Sequence, residues 1–373
     1  MKARPRVLLV TPVFTHPPVQ GDAARILAFG RELRRRGFAV HVLHYVLDAL
    51  TAEGDAAMRK EWDSVVNVEA RPHARARYAS HWGIDDFCHE AVCDEVRRLC
   101  REVGYCAVVT HYVWMSRALI AVEAAVKIID TIDIFAGRHE LALQSGLQPN
   151  WYFTDETEEN AGYDRADLVI GIQDVETAKM SPRTRASTMT VGHPIDPWFI
   201  TNADSPHKVT RFGYFGSGNP WNVRSVAALD AAMPQGERFD WSLAGSVCRA
   251  PLHLASRPFH FGFVDAPEDF YRFVECVINP EIGGTGLKTK TIEALAHGRA
   301  VIGTRRAFEG MNAVHPFHSF DAVQDVVEGM RVYDREASAR SDVQGASRQL
   351  YFNYMDIVRQ HYDDLAHFIQ ERS

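Results

Sequence analysis

The feature that most constrains the fold of this chain is an alternation. Short, continuously apolar, β-branched runs are separated by amphipathic stretches of helical period. "RVLLVTP" is the first such run. A run that is apolar at successive positions, rather than at every second one, belongs to a strand covered on both faces, as in parallel sheets packed between helices. A proline- and glycine-rich loop follows, "VFTHPPVQGD", and then "AARILAFGRELRRRG". There Ala23, Ile26, Leu27, Gly30 and Leu33 form one stripe, and Gly37 supplies a C-terminal stop. "FAVHVLHY" is the next strand. Strand, loop, helix and strand in that order open a doubly wound α/β sheet.

The scheme continues through "YCAVVTHY", "VKIIDTID" and "ADLVIGIQ", and a second set begins with "TRFGYFGSGN", "DWSLAGSV", "FHFGFV", "ECVINP" and "AVIGT". A chain of 373 residues exceeds one ordinary core. We expect two Rossmann-like domains, residues 1–200 and 201–350, with the boundary in the polar stretch near 197–208. The end, "ASRQLYFNYMDIVRQHYDDLAHFIQERS", reads as a C-terminal helix over 351–373 that packs back on the first domain.

Composition closes off several classes of function. A net charge of -7 argues against broad nucleic-acid binding. The six cysteines lack disulfide or zinc spacing and read as reduced thiols, which suits the cytoplasm. "MKARPRVLLVTPVF" is too short in its apolar part for a signal peptide, and no segment approaches the length of a membrane span. The run Arg31, Arg34, Arg35 and Arg36 has two readings: a solvated helix face, or a peripheral contact with anionic lipid at the inner face of a membrane.

The stretch "NPEIGGTGLKTKTIEALAHG", residues 279–298, carries the chemistry. Gly283, Gly284 and Gly286 permit tight turns and close approach of a ligand, and Thr285 adds a hydroxyl. A helix is expected from about Leu287 to His297, ended by Gly298. Its first N–H groups lack internal partners and its dipole is positive at that end. With Lys288 and Lys290 alongside, the mouth of the helix is an anion site suited to phosphate. Glu293 shares a face with Lys290, and a carboxylate there suits a pair of ribose hydroxyls rather than phosphate. Together these describe a nucleotide diphosphate. The plainer reading is a βα turn with Lys290–Glu293 as a surface ion pair.

"GTGLKTKTIEALAHG" resembles the donor-binding segment G-T-G-[LI]-K-x-K-x-[LI]-E-A-x-A-x-G of the retaining glycosyltransferases of family 4. The likeness extends in order through "DTIDIFAGR", "DRADLVIGIQ", "FGYFGSGNPWNVRSV" and "AVIGTRRAFEGM". The resemblance implies the GT-B fold, two doubly wound domains facing across a cleft. It also implies a nucleotide-diphosphate sugar as donor substrate, no cofactor and no metal. The acceptor would be a glycan, a lipid-linked molecule or another hydroxyl compound, as in bacterial polysaccharide synthesis. Glu293 would bind the ribose, and Gly284, Thr285, Gly286, Leu287, Lys288 and Lys290 the diphosphate. Gly216, Ser217 and Asn219 would line the donor site from the opposite loop, while Gly21, Asp22 and Arg138 would approach the sugar or acceptor. Two departures stand out. "IGGTG" has no acidic residue at its head, with Glu281 upstream. "DTID" has Ile132 where many relatives have histidine, which shifts the polar catalytic contact to Asp133, with His111 and Asp130 as further candidates and Lys290 as the cation on the leaving group. The same architecture also admits a sugar-nucleotide 2-epimerase, or a non-catalytic nucleotide-sugar-binding subunit.

Three smaller expectations complete the reading. "GSGNPWN" lacks the third glycine of a dinucleotide loop, and Pro220 is expected to disturb a helix starting within it. Trp82, Trp151 and Trp241 read as core. Trp114 and Trp221 follow strand ends and are candidates for contact with sugar.

Overall fold

A computed structural model describes residues 4–18, 20–70, 76–149, 152–201, 210–264 and 266–373. Trp151 and most of the expected boundary stretch lie outside the described residues. The chain divides into two compact units, one formed by Met1–Pro194 with Ile357–Ser373 and the other by Ile195–Asp356. The C-terminal helix Ala337–Arg372 therefore contributes to both.

The first unit is built on a 7-stranded sheet in the order β3-β2-β1-β4-β5-β6-β7. Its strands are β1 Arg6–Thr11, β2 Ala39–Val46, β3 Ser64–Glu69, β4 Ala107–His111, β5 Val126–Asp130, β6 Leu168–Gly171 and β7 Ser187–Thr190. β1 pairs in parallel with β2 on one side and β4 on the other, so the strand order reverses there. Val7, Leu8, Leu9 and Val10 are fully buried, as a strand covered on both faces requires. The helix Gly21–Arg35 follows, and Gly37 leaves it at φ 88. β3 falls outside the apolar-run pattern, because "SVVNVE" mixes polar and apolar positions; it is an edge strand with one buried residue.

The second unit carries a 5-stranded sheet in the order β10-β9-β8-β11-β12. The strands are β8 Thr210–Phe215, β9 Trp241–Ala244, β10 Phe259–Gly262, β11 Val274–Asn279 and β12 Ala300–Gly303. β8 pairs in parallel with β9 and β11, so this sheet also reverses its order, beside β8. In such sheets ligands bind beyond the carboxyl ends of the strands at the reversal. That rule directs attention to the segments after β1 and β4 in the first unit, and after β8 and β11 in the second.

Candidate active site residues

In the second unit, β11 ends at Asn279 and the chain runs through Pro280–Lys288 into the helix Thr289–Ala296. The helix begins two residues later than expected and is closed by Gly298 at φ 71. Its N-cap residue, Lys288, does not cap it with its own side chain. The junction is rigid: Asn279 Nδ2 donates to Thr291 Oγ1 at 2.7 Å, and that hydroxyl donates to the Ala307 carbonyl at 2.8 Å.

The glycines serve the loop itself. Gly284 and Gly286 adopt φ 93 and 72, a region that side chains disfavour. At Gly283 the reason is contact: a Cβ there would lie 2.2 Å from Cζ3 of Trp221. Trp221 covers the glycine loop, so of the two flagged tryptophans it belongs to this site. Trp114 is fully buried and stacks on Tyr112 at 5.2 Å, as a core residue does.

Pro220 does not disturb the neighbouring helix; it begins it. The helix Pro220–Ala232 has Pro220 in its first turn, where a missing N–H costs nothing, and Asn219 as its N-cap, with Oδ1 accepting from Trp221 N at 2.8 Å. Asn222, one turn in, donates from Nδ2 to the Ser217 carbonyl at 3.0 Å and to Ser217 Oγ at 3.1 Å. Its Oδ1 accepts from Lys290 Nζ at 2.7 Å. Gly216 precedes this turn, and Ser217 and Asn219 are exposed on it.

Lys290 is the hub. Besides Asn222 it reaches Glu281 Oε2 at 2.8 Å and Tyr214 OH at 3.0 Å, so its three donors have three acceptors. Burial alone would depress its pKa, but Tyr214 and Glu281 outweigh that and raise it. Lys290 therefore pairs with Glu281, not with Glu293. Glu281, 3% exposed, supplies the acidic partner that "IGGTG" lacks. Lys288 is turned inward: Nζ donates to the carbonyls of Thr285 at 3.2 Å and Gly286 at 2.8 Å. The two lysines thus brace the loop, rather than standing as open charges. Leu287 is buried beneath it.

Glu293 is half-buried, with Oε2 accepting from Tyr271 OH at 3.0 Å. Its enclosure pushes the carboxyl up to about 7; the Tyr271 hydrogen bond opposes this and the Glu268 charge adds to it. It therefore titrates near neutrality.

In the first unit, a polar cluster stands at the ends of β1, β4 and β5. Gly21 and Asp22 open the helix Gly21–Arg35. Tyr112 OH donates to Asp22 Oδ2 at 2.8 Å, and Asp133 pairs with Arg138 at 3.2 Å. Tyr112 and Ile132 both hold positive φ, 71 and 60. For a β-branched residue that conformation is a true outlier, and such strain clusters at functional positions.

His111 and Asp130 stand elsewhere. Both are fully buried, His111 Nδ1 lying 3.2 Å from Asp130 Oδ2, and Arg25 grips Asp130 with Nη2 at 3.0 Å. Burial opposes the charge on Asp130, yet Arg25 and His111 hold its pKa down to about 2. Arg25 also donates to the Val191 carbonyl at 2.8 Å and to Tyr362 OH at 3.2 Å, tying the C-terminal helix segment to this unit. The pair is a core network without the exposure that contact with substrate requires. Of the three carboxylate and imidazole candidates, Asp133 alone remains at the surface of the cluster.

The basic run on the first helix is also matched internally. Arg31 forms two bonds with Glu61 at 2.9 and 2.8 Å, Arg34 lies 3.7 Å from Asp63, Arg35 pairs with Glu32, and Arg36 with Glu32 and Asp363. Neutralised arginines make a poor lipid-binding patch, which favours the solvated face. Among the described residues no helix is long and apolar enough to cross a membrane, and no cluster of three or more His, Cys, Asp or Glu side chains is arranged to hold a metal ion.

No family model and no curated protein matches this chain. Solved structures do. Sucrose-phosphate synthase from Thermosynechococcus elongatus is similar with a TM-score of 0.69 at 14% identity, over 99% of this chain and 100% of that one. Anabaena HepE, solved in complex with UDP and glucose, gives 0.67 at 13% identity over 97% and 99%. A glycosyltransferase from Rickettsia africae gives 0.66 at 12% over 99% and 100%. At such identities the likeness speaks for the fold: this chain has the GT-B fold, built of two Rossmann-like α/β domains.

Proposed function

We propose that the chain is a retaining glycosyltransferase of the family 4 type, moving a sugar from a nucleotide-diphosphate sugar to a hydroxyl acceptor without a metal. The observation that carries the reading is the start of the helix Thr289–Ala296. It is entered through a glycine loop in which Gly284 and Gly286 hold positive φ, and it is set at the strand-order reversal of a GT-B domain. The diphosphate would rest on the amides of that loop and helix, and the ribose on Glu293. The complexes of Anabaena HepE with UDP and with UDP-glucose make uridine nucleotides the first probes.

Each group has a defined task in this scheme. The acceptor hydroxyl attacks on the face from which the diphosphate leaves, and a phosphate oxygen takes its proton, so no strong base is required. Developing charge on the leaving group is met by oriented amides, which need no reorganisation. Because the charge of Lys290 is largely balanced by Glu281, the amides carry most of this work, and Lys290 fixes the two loops relative to each other. The Asp133–Arg138 pair and the Asp22–Tyr112 bond form the acceptor side, with Asp133 as the polar contact that Ile132 does not supply.

Incubating the protein with UDP-sugars and GDP-sugars, with and without glycan and lipid-linked acceptors and with EDTA, tests the reading. Sugar transfer that survives EDTA and retains the anomeric configuration is expected. Conversion of donor in the absence of any acceptor would instead identify a 2-epimerase, and saturable binding without turnover a binding subunit. Glu293→Ala should weaken UDP binding by about 1–3 kcal/mol, the range for a lost charged hydrogen bond. An unchanged UDP affinity would refute the ribose assignment.

A further inference from the structure

Glu293 does not stand alone. Tyr271, on the helix Pro267–Phe273, is fully buried, and its hydroxyl donates to Glu293 Oε2 at 3.0 Å. The ring of Tyr271 lies flat against His297, with centroids 4.4 Å apart and an interplanar angle of 22°. His297 Nδ1 is 2.8 Å from the Glu293 carbonyl; since a carbonyl only accepts, that nitrogen carries the proton. The indole of Trp198 continues the stack at 6.5 Å, and the Trp198 amide donates to the Ala296 carbonyl at 2.8 Å. An aromatic file anchored to both ends of the last helical turn thus aims one phenolic hydroxyl at one carboxylate oxygen. Among the described residues this is the hydrogen bond that the Glu293 carboxyl makes.

We infer that Tyr271 is a positioning residue: its hydroxyl holds one oxygen of Glu293 and fixes the rotamer of that side chain, so that the remaining lone pairs face the ribose diol of the donor nucleotide. The inference rests on the assignment of Glu293 to the ribose. The physical need is plain. An ionised carboxylate accepts from hydroxyls more strongly than a protonated one, and burial with a second carboxylate nearby works against ionisation. Among the described residues, Tyr271 and Glu268 on the facing helix act on its charge, and Lys290 and His297 lie one turn away along its own segment. Lys290 is held by Glu281 and His297 is turned to the backbone. Tyr271 is therefore the neighbour that favours the charged form.

Tyr271→Phe keeps the ring stack and removes the hydroxyl. Carbon-13 NMR titration of the Glu293 carboxyl in the full chain, without ligand, should show a midpoint moved upward relative to wild type. UDP affinity at pH 7 should fall about tenfold, the size of one hydrogen bond to a charged group, and recover above pH 9. In a Glu293→Gln background the same substitution should have no further effect on UDP, and kcat should change less than KM for a UDP-sugar that is turned over. An unmoved carboxyl midpoint in Tyr271→Phe, or an affinity loss independent of pH, would overturn the inference. If wild-type protein binds no UDP, GDP or ADP, the ribose assignment fails, and with it the role proposed for Tyr271. The NMR midpoint still decides separately whether the hydroxyl holds the charge.

Discussion

Replacing Glu281 by glutamine tests how the glycine loop is held. The side chains of Glu281 and Lys290 are 3% and 16% exposed and meet at 2.8 Å. Removing one partner of a buried ion pair costs about 3–5 kcal/mol, because the other charge is left uncompensated. Glutamine keeps an oxygen that can still accept from Lys290, which returns about 1 kcal/mol. The net expectation is about 2–4 kcal/mol. In a domain of this size that lowers the melting temperature by on the order of 10 °C. The assay is thermal unfolding by circular dichroism, in a double-mutant cycle with Lys290→Met. Glu281→Gln combined with Lys290→Met should melt above Glu281→Gln alone, since the stranded ammonium is gone. The pH dependence has a definite sign. The folded pKa of Lys290 is raised, so its contribution is complete below the unfolded value of about 10.4 and is lost as pH rises through the folded one. The gap between wild type and Glu281→Gln should therefore be flat from neutral pH to about 10 and narrow above that. With the lysine charge no longer balanced, UDP affinity should rise in Glu281→Gln and fall in Lys290→Met. Strict additivity in the cycle would refute the claim that the buried pair organises this loop.

Three other outcomes are expected. Gly283→Ala places a Cβ 2.2 Å from the Trp221 ring, so it should destabilise by about 1–3 kcal/mol in thermal unfolding, and Trp221→Leu should relieve much of that. Asp130→Asn strands buried Arg25 and should cost about 3–5 kcal/mol. Because the Asp130 pKa is depressed to about 2, its contribution is present above its unfolded value near 3.9 and lost as pH falls through the folded one, so acid unfolding of the variant should be less steep between about pH 4 and 2. Ile132→His puts a residue that tolerates the left-handed region at φ 60 and restores a hydrogen-bond donor; sugar transfer should accelerate with stability changed by less than about 1 kcal/mol, and unchanged turnover would show that the donor is not what limits the reaction.

The sequence by itself determined the class of fold. Continuous apolar runs such as Val7–Val10 are stable only when covered on both faces, and their alternation with amphipathic stretches leaves a doubly wound sheet as the consistent arrangement. It also marked the glycine loop as the candidate site, because three closely spaced glycines and the helix pattern that follows them are local properties of consecutive residues. Element order was readable for the same reason, except at edge strands such as β3, where polar residues blur the pattern. Tertiary structure alone decided the partners. Lys290 and Glu293 share a helix face, so local geometry suggests that they pair. The fold instead brings Glu281, Tyr214 and Asn222 to the lysine and Tyr271 to the glutamate, across 9 to 76 positions of sequence. His111 and Asp130 end strands where ligands gather, and only the arrival of Arg25 shows them to be core. Burial and charge pairing arise from contacts between distant segments, and so does the tuning of each group near neutral pH; spacing along the chain carries no record of them.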